Sequence, residues 1–314
     1  MRTFSSIAPR TTSAELERAE RCLAEGRFAD AEALWRSVLC AEPQQPEALH
    51  GIAMLALLAG HPQDAEQLAR QALGRRKWEP RFRVTLGRAL AALGRHEEAI
   101  EAYRAALRVK PDLADALVLF GISCRKLRRH DEAVAAYQRA IRIQPDSAEA
   151  HANCGIAYQE TGRLAEAIKS YEHALRLRPS LREVRNNLGL ALGHSGQWEA
   201  ALRVFEALNK QSPEYSEGYV NTGLALKELQ RLPEAIACFR RAIALKSSIA
   251  EAHANLGNAL RESGDLAASM ESLRTAIGIE PRLAAAHSGL GIAFEHQGLV
   301  SEAVACHTRA LGLG

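Results

Sequence analysis

The sequence predicts an all-α solenoid, a single elongated array of about nine helix-turn-helix repeats. The first observation is a glycine that recurs every 34 residues without a slip, at Gly87, Gly121, Gly155, Gly189, Gly223, Gly257 and Gly291. The second is an alanine that keeps the same period from Ala31 to Ala235, gives way to Ser269 and returns at Ala303. A fixed period of this length indicates repeated units that complete each other's cores.

Prolines fix the boundaries of the repeats. They stand near the end of most repeats, at Pro43, Pro111, Pro145, Pro179, Pro213 and Pro281, while Lys77 and Ser247 occupy two beats without proline. Counting from them, the repeats begin at residues 12, 46, 80, 114, 148, 182, 216, 250 and 284. We therefore expect a superhelical domain over residues 12–314, preceded by a disordered tail over residues 1–11.

Each repeat is expected to contain two helices. In repeat 5 the first helix runs from about Ala148 to Thr161 and stops at Gly162, since glycine enters the left-handed region at little cost. The second runs from about Leu164 to Arg178, where Pro179 ends it because proline cannot donate the next backbone hydrogen bond. Arg128 and Gln230 replace the turn glycine in two repeats, so those two turns are expected to close differently.

The periodic small residues have a packing reason. Gly155 in a first helix and Ala167 in the following second helix let two helix axes approach closely, and a larger side chain would cost about 1–3 kcal/mol through overpacking. A bulky aromatic residue then covers the crossing. It is Tyr103, Tyr137, Tyr171, Phe205 or Phe239 in successive repeats.

Composition limits the classes of function. A net charge of +3 over 314 residues does not imply strong attraction to nucleic acid. The longest apolar window, residues 52–59, is too short to span a bilayer, and residues 1–12 lack the apolar stretch of a secretory signal. The six cysteines are well separated, which favours reduced thiols over disulfides or a zinc site. We therefore expect a cytoplasmic protein that has no metal or cofactor, does not bind nucleic acid and does not insert into membranes.

The repeat signature resembles that of the tetratricopeptide repeat family. Repeat 3 shows Leu86-Gly87, Ala99, Tyr103, Ala106 and Pro111, and repeat 4 shows Phe120-Gly121, Ala133, Tyr137, Ala140 and Pro145. The resemblance covers residues 12–314 and is weaker in the first two repeats, where Arg18-Ala19 and Ile52-Ala53 replace Leu-Gly. It implies a right-handed superhelix with a concave groove that is lined by the first helices.

Four asparagines keep strict phase two residues before the periodic glycine. They are Asn153, Asn187, Asn221 and Asn255. An amide offers two donors and an acceptor, which suits an extended peptide backbone. The line resembles the asparagine ladder of O-linked N-acetylglucosamine transferases, and residues 250–260, which include Asn258, are the closest local match. Asparagine is also common at this slot throughout the family, so an inherited consensus explains the four residues equally well.

Other polar residues are weaker candidates for the groove. Arg125 and Lys126 belong to a basic cluster at the groove end of repeat 4, which is expected either to be a solvated helix end or to contact phosphate or an acidic partner. His194, late in a first helix, is expected to face the groove. His151, His253 and His287 share a slot that usually holds a packing residue, and their spacing does not suit a metal site.

Acidic residues in the first helices are unfavourable for binding a C-terminal carboxylate, which is one mode of recognition in this family. Position 2 of five first helices carries Asp115, Glu149, Glu183, Glu217 or Glu251. These carboxylates would repel an acidic chain terminus, so a clamp for a C-terminal carboxylate is not expected. They also stabilise the first helical turn through the helix dipole.

The leading hypothesis is a non-catalytic scaffold that binds a protein or an extended peptide in its groove. The sequence has no phosphate-binding loop or nucleophile motif, and the repeats occupy nearly all of it. The alternatives are the substrate-recognition region of a glycosyltransferase system whose catalytic domain is absent from this chain, and a purely structural adaptor. The last repeat is expected to expose Leu290, Ala303 and Val304, which predicts self-association or a downstream partner.

Overall fold

The computed structural model describes residues 9–313, whose regular elements are eighteen α-helices. The first helices of the nine hairpins are α1 Pro9–Ala24, α3 Pro46–Leu58, α5 Pro80–Ala92, α7 Ala114–Lys126, α9 Ala148–Glu160, α11 Arg182–His194, α13 Ser216–Glu228, α15 Ala250–Glu262 and α17 Ala284–His296. The second helices are α2 Phe28–Ala41, α4 Pro62–Arg75, α6 His96–Val109, α8 His130–Ile143, α10 Leu164–Leu177, α12 Trp198–Gln211, α14 Leu232–Leu245, α16 Leu266–Ile279 and α18 Val300–Leu311. The chain is therefore an all-α solenoid.

The helices divide into two compact parts, which we describe separately. The N-terminal part ends at Thr161 and holds α1 to α9, and the C-terminal part begins at Gly162 and holds α10 to α18. Helix α1 begins at Pro9, three residues before the expected start of the first repeat. Residues 9–11 are therefore helical, and the rest of the expected N-terminal tail lies outside the described residues.

Local signals explain where the first helices begin. Pro46 and Pro80 occupy the first helical position of α3 and α5, where a missing N–H costs nothing. The side chain of Gln45 accepts a hydrogen bond from the backbone N–H of Ala48 at 2.8 Å. Ser147 caps α9 in the same way, at 3.2 Å from the backbone nitrogen of Ala150.

The turn within each hairpin has a left-handed residue, whether or not that residue is glycine. Gly94 has φ +76°, while Arg128 and Gln230 have φ 58° and 60°. The backbone N–H of Arg129 bonds to the carbonyl of Cys124 at 2.9 Å, as in the glycine-containing turns. The expectation that Arg128 and Gln230 close their turns differently is therefore wrong. The hairpin geometry imposes the left-handed conformation, which costs a non-glycine residue about 1–2 kcal/mol.

The predicted crossing of the two helices is confirmed in four hairpins. A Cβ added to the periodic glycine would lie within 3 Å of the aromatic ring in the second helix of the same hairpin. The pairs are Gly87 with Tyr103, Gly121 with Tyr137, Gly189 with Phe205 and Gly223 with Phe239. All four aromatic side chains are buried, so the ring fills the space that the missing Cβ leaves.

Three buried thiols behave as small hydrophobic residues. Cys22, Cys124 and Cys154 are buried, whereas Cys40 is exposed. Burial raises the pKa of Cys124 to about 11, so this side chain stays a neutral thiol at physiological pH. It contributes packing rather than reactivity.

The two layers of helices are not equivalent. In the N-terminal part α1, α3, α5, α7 and α9 contact one another in sequence, and in the C-terminal part α11, α13, α15 and α17 do so. Consecutive second helices make no such contact within the described residues of either part. In each part the first helices therefore form the closely spaced inner layer, and the second helices spread apart on the outside.

We predict that Gly223→Ala lowers the free energy of unfolding by about 1–3 kcal/mol, because its Cβ would lie 2.5 Å from Cε1 of Phe239. The measurement is urea unfolding followed by far-ultraviolet circular dichroism. Gly278→Ala is the matched control, since its Cβ would enter open space in helix α16. This control should gain about 0.5 kcal/mol. Equal stability of the two variants would contradict the packing argument.

Candidate functional site

The inner face of the C-terminal part repeats a simple polar pattern. Numbering each repeat from its first residue, positions 2, 6, 9 and 13 lie on one face of the first helix because they are three or four residues apart. In α11 these positions hold Glu183, Asn187, Leu190 and His194. In α13 they hold Glu217, Asn221, Leu224 and Glu228, and in α15 Glu251, Asn255, Asn258 and Glu262.

Adjacent first helices are linked through side chains 35 residues apart. The amide nitrogen of Asn221 donates to the amide oxygen of Asn186 at 2.7 Å. Lys227 Nζ lies 3.9 Å from a carboxylate oxygen of Glu262. Asn221 therefore uses one donor within the protein and keeps its amide oxygen and its second N–H for other contacts.

Asn187 and Asn255 have uncommitted amides. Both side chains are half-buried, and neither makes a hydrogen bond within the part of the chain that the structure describes. A half-buried amide without a partner is a ready donor and acceptor for a second molecule.

The end of the asparagine line has a structural cause. Gly289 occupies position 6 of the last repeat, and a Cβ there would lie 2.6 Å from the amide oxygen of Asn258. Asn258 occupies position 9, where repeats 4 to 7 and the last repeat have isoleucine or leucine. The half-buried side chain of Asn258 thus fills the space that a side chain at position 289 would otherwise occupy.

Asn153 lies in the N-terminal part and differs from the others. Its amide nitrogen donates to the backbone carbonyl of Glu149, one turn earlier in α9, at 3.0 Å. One donor of this amide is therefore satisfied by its own helix. Sequence phase alone places Asn153 with Asn187, Asn221 and Asn255.

Arg125 joins neighbouring hairpins of the N-terminal part. Its guanidinium donates to Glu160 at 2.7 Å, and the same carboxylate lies 3.4 Å from Nδ1 of His130. The Arg125 side chain is only 18% exposed, so it braces α7 against α9 rather than facing solvent. Lys126, the next residue, is exposed at the end of α7.

His194 is the last residue of α11 and is exposed. It occupies position 13, as Lys126 does in its own repeat. The side chain lies at the edge of the inner face, next to the turn at Gly196.

The inner face of the C-terminal part is acidic. Glu183, Glu217 and Glu251 are exposed in the first turns of their helices. The pKa of Glu183 is lowered by a hydrogen bond from its own backbone N–H and by the guanidinium of Arg182. The Glu183 carboxylate therefore stays charged, but it is paired with Arg182 at 3.0 Å. Glu217 and Glu251 form no ion pair within the described residues, so these two carboxylates would repel a second one nearby.

The residue at position 4 of several first helices bonds to the preceding loop, a contact that the sequence did not predict. The Nε2 atoms of His151, His253 and His287 lie 3.0–3.1 Å from the carbonyl oxygen of the residue six positions earlier. Arg185 donates to Pro179 in the same way at 2.7 Å. The histidines are half-buried and bond to the preceding loop, so they do more than pack. The recurrence of histidine and arginine at this position was the available sequence signal.

A buried pair occupies positions 5 and 6 of neighbouring first helices in the N-terminal part. His50 Nε2 lies 2.9 Å from Thr85 Oγ1, and both side chains are buried. The rings of His50 and Phe82 have centroids 4.8 Å apart. The pair joins α3 to α5 in the register in which Asn186 and Asn221 join α11 to α13.

None of the described helices is both long and apolar enough to cross a bilayer. Residues 12–313, whose side chains are described, contain no group of three or more histidine, cysteine or acidic side chains placed to hold a metal ion.

Comparison with known families assigns the chain to a class of helical-hairpin repeat proteins. Sequence models described as tetratricopeptide repeat or TPR repeat match residues 23–68, 84–148, 125–188, 183–207, 223–262 and 257–298. Together these matches cover most of the sequence. The chain therefore belongs to the tetratricopeptide repeat family.

Solved structures agree with this fold. The C-terminal part of a TPR repeat-containing protein from Cytophaga hutchinsonii matches with a TM-score of 0.64 and 15% identity, over 76% of this chain and 98% of that one. The APC/C hetero-tetramer Cut9-Hcn1 matches with a TM-score of 0.57 and 18% identity, over 92% and 57%. YrrB, described as a TPR protein with an unusual peptide-binding site, matches with a TM-score of 0.51 and 23% identity, over 60% and 96%. A search of curated proteins found no match.

We predict that His50 makes the folded chain sensitive to acid. Burial, and secondarily the charge of Arg81, lower the pKa of His50 to about 4 from 6.5. Below pH 6.5 the unfolded chain takes up a proton that the folded chain excludes, so stability falls as the pH falls from 6.5 to about 4. The total loss is about 3 kcal/mol.

The measurement is the difference in urea midpoint between about pH 7 and about pH 4.5. His50→Gln, which retains a hydrogen-bonding side chain for Thr85, should reduce this difference. His194→Gln is the control, because His194 is exposed. Identical pH dependence in wild type and His50→Gln would count against the assignment.

Proposed function

We propose that this chain is a non-catalytic scaffold that binds an extended protein segment along the inner face of its C-terminal part. The observation that carries the proposal is the pair of half-buried, uncommitted amides of Asn187 and Asn255 on either side of Asn221. One amide per repeat presents donors and an acceptor to a second backbone. An extended segment has N–H and C=O groups of its own to satisfy.

The charge of this face defines the segment further. Glu183, Glu217 and Glu251 lie one helical turn before the three asparagines. An acidic segment would be repelled by these carboxylates, whereas a neutral segment or one with lysine and arginine would not. We therefore propose a neutral or basic extended segment, with His194 and Asn258 at the margins of its site.

Asn153, Arg125 and Lys126 are assigned lesser roles. Asn153 and Arg125 already bond within the N-terminal part, so a partner would have to compete with those contacts. Lys126 is exposed, so its ammonium group could contact a partner that binds to the N-terminal part.

The glycosyltransferase hypothesis rests on the asparagine line alone. On that alternative the chain would be the substrate-recognition region of an O-linked N-acetylglucosamine transferase-like system whose catalytic domain is not in this sequence. The families that match describe tetratricopeptide repeats in general and do not distinguish it from other scaffolds. A transferase assay on the chain with a nucleotide sugar should show no turnover on either hypothesis, and turnover would contradict both.

The test of the binding site uses a peptide that the wild-type chain selects from a random phage-displayed library, titrated by calorimetry. Asn187→Ala and Asn255→Ala should each weaken binding by about 0.5–1.5 kcal/mol, since each removes hydrogen bonds to the segment. The melting temperature should change little, because neither amide bonds within the described protein.

Gln67→Ala combined with Gln71→Ala is the matched control, because it removes two exposed amides from second helix α4. Its affinity should equal that of wild type. Unchanged affinity in the variant that combines Asn187→Ala with Asn255→Ala would reduce the line to family consensus. An acid-rich peptide whose binding these two substitutions weaken would refute the proposed charge preference.

Self-association through the last repeat stays a prediction, with a corrected surface. Leu290 and Ala303 are buried, contrary to the expectation from sequence, because α17 and α18 pack against each other and cover them. Val304 is exposed as expected, together with Val300 and Leu311 on α18.

A second copy of the chain would cover these three apolar side chains. Light scattering of wild type at high concentration should then show a dimer or larger species, and Val304→Glu should shift it towards the monomer. The variant should retain the wild-type circular dichroism, since Val304 is 58% exposed. A wild type that is monomeric throughout would contradict self-association.

A further inference from the structure

The spreading of the second helices creates grooves on the outer side of the N-terminal part. Each groove lies between two consecutive second helices and has the intervening first helix as its floor. Three such grooves are present, over α3, α5 and α7. They are built from equivalent positions of successive repeats, so they differ in side chains rather than in architecture.

The groove over α7 combines an apolar floor with basic walls. Its volume is about 420 Å³, which is within the range of small-ligand sites. Leu117 and Phe120 of α7 form the floor, with Leu107 from α6 and Ala135 and Ala136 from α8 beside them. Leu117 is buried, whereas Phe120 is only half-buried, so part of an aromatic ring faces the groove.

The arginines in the walls of this groove differ in whether they are paired with a carboxylate. Arg104 lies over the ring of Phe120, with its guanidinium carbon 5.5 Å from the ring centroid, and bonds to Glu101 and Glu132 at 2.8 Å. Arg108 and Arg139 are exposed and form no ion pair with any carboxylate of the described residues. These two guanidinium groups flank the apolar floor as unneutralised charges.

The sister grooves have other charges. The groove over α5 sets Arg70, Arg83 and Arg108 against Glu97, Glu98 and Glu101. The groove over α3 has Arg36 against Glu32 and Asp64. Only the α7 groove, of these three, has more arginines than acids together with an aromatic floor.

We propose that the groove over α7 docks an acidic peptide segment that carries one bulky apolar residue. The apolar residue packs on Phe120 and Leu117, and flanking carboxylates pair with Arg108 and Arg139. The charge of the groove and its apolar floor together select this chemistry. A basic segment could not form ion pairs with Arg108 and Arg139, and an acidic segment without an apolar residue could not pack on Phe120 and Leu117. The site lies between α6 and α8 of the N-terminal part, whereas Asn187, Asn221 and Asn255 lie on first helices of the C-terminal part, so it does not depend on them.

The test is fluorescence anisotropy of a dye-labelled peptide, acetyl-Asp-Asp-Phe-Asp-Asp-amide, titrated with the full chain up to about 1 mM. Wild type should bind, and Arg108→Glu combined with Arg139→Glu should weaken binding at least about tenfold. Both side chains are exposed, so the double variant should keep its circular dichroism spectrum. Arg142→Glu is the control for charge, because Arg142 is exposed on α8 and does not line the groove.

Companion probes separate the contributions of anchor and charge. The same peptide with alanine in place of phenylalanine should bind at least about threefold more weakly, and a Lys-Lys-Phe-Lys-Lys peptide should not bind. No binding of the phenylalanine peptide up to 1 mM, equal affinity in wild type and the double variant, or equal loss in Arg142→Glu would overturn the proposal. Tighter binding of a single-stranded oligonucleotide that the same double variant abolishes would assign the groove to nucleic acid and likewise overturn it.

Discussion

The fold depends on one steric relation, the contact between a residue without a side chain and an aromatic ring. In each of four hairpins the periodic glycine of the first helix faces a Tyr or Phe of the second, and the ring occupies the volume that a Cβ would need. This contact sets how closely the two helices of a hairpin approach. Its recurrence gives these four hairpins nearly the same shape, while Leu273 takes the place of the ring beside Gly257 in the eighth hairpin.

The steric period is the part of the structure that the sequence reveals most directly. Glycine, alanine and proline recur at fixed intervals because close helix packing and helix termination require them. The first helices from α3 onward accordingly begin at the residues where the period predicts that the repeats begin. Arg128 and Gln230 show the limit of this reasoning. Residue preference suggested another turn, but the packing of the flanking helices enforces the left-handed conformation on both residues.

The polar side chains were less predictable, because their partners lie in the next repeat. The sequence placed four asparagines in one phase, but it did not show that Asn153 bonds to its own helix while Asn221 bonds to Asn186. It indicated a basic cluster without showing that Glu160 holds Arg125. The contacts of Asn221 and Arg125 join residues 35 apart, and a period of 34 does not state which neighbouring positions will touch, whereas Asn153 bonds to a residue four positions earlier. The outer grooves were missed for the same reason, since they require knowing which layer of helices spreads.

The hydroxyl of Tyr103 shows which property of the side chain matters at the position that packs against the periodic glycine. This oxygen is buried and has no hydrogen-bond partner among the described residues, and burial raises the pKa of the phenol. Phe205 and Phe239 fill the corresponding slot elsewhere without any hydroxyl. Bulk beside the glycine is therefore what the slot requires, as Leu273 shows beside Gly257, and the buried phenolic oxygen of Tyr103 is tolerated at an energetic disadvantage. A change between tyrosine and phenylalanine at this slot leaves the architecture intact, whereas truncation of the side chain would leave a void beside the glycine.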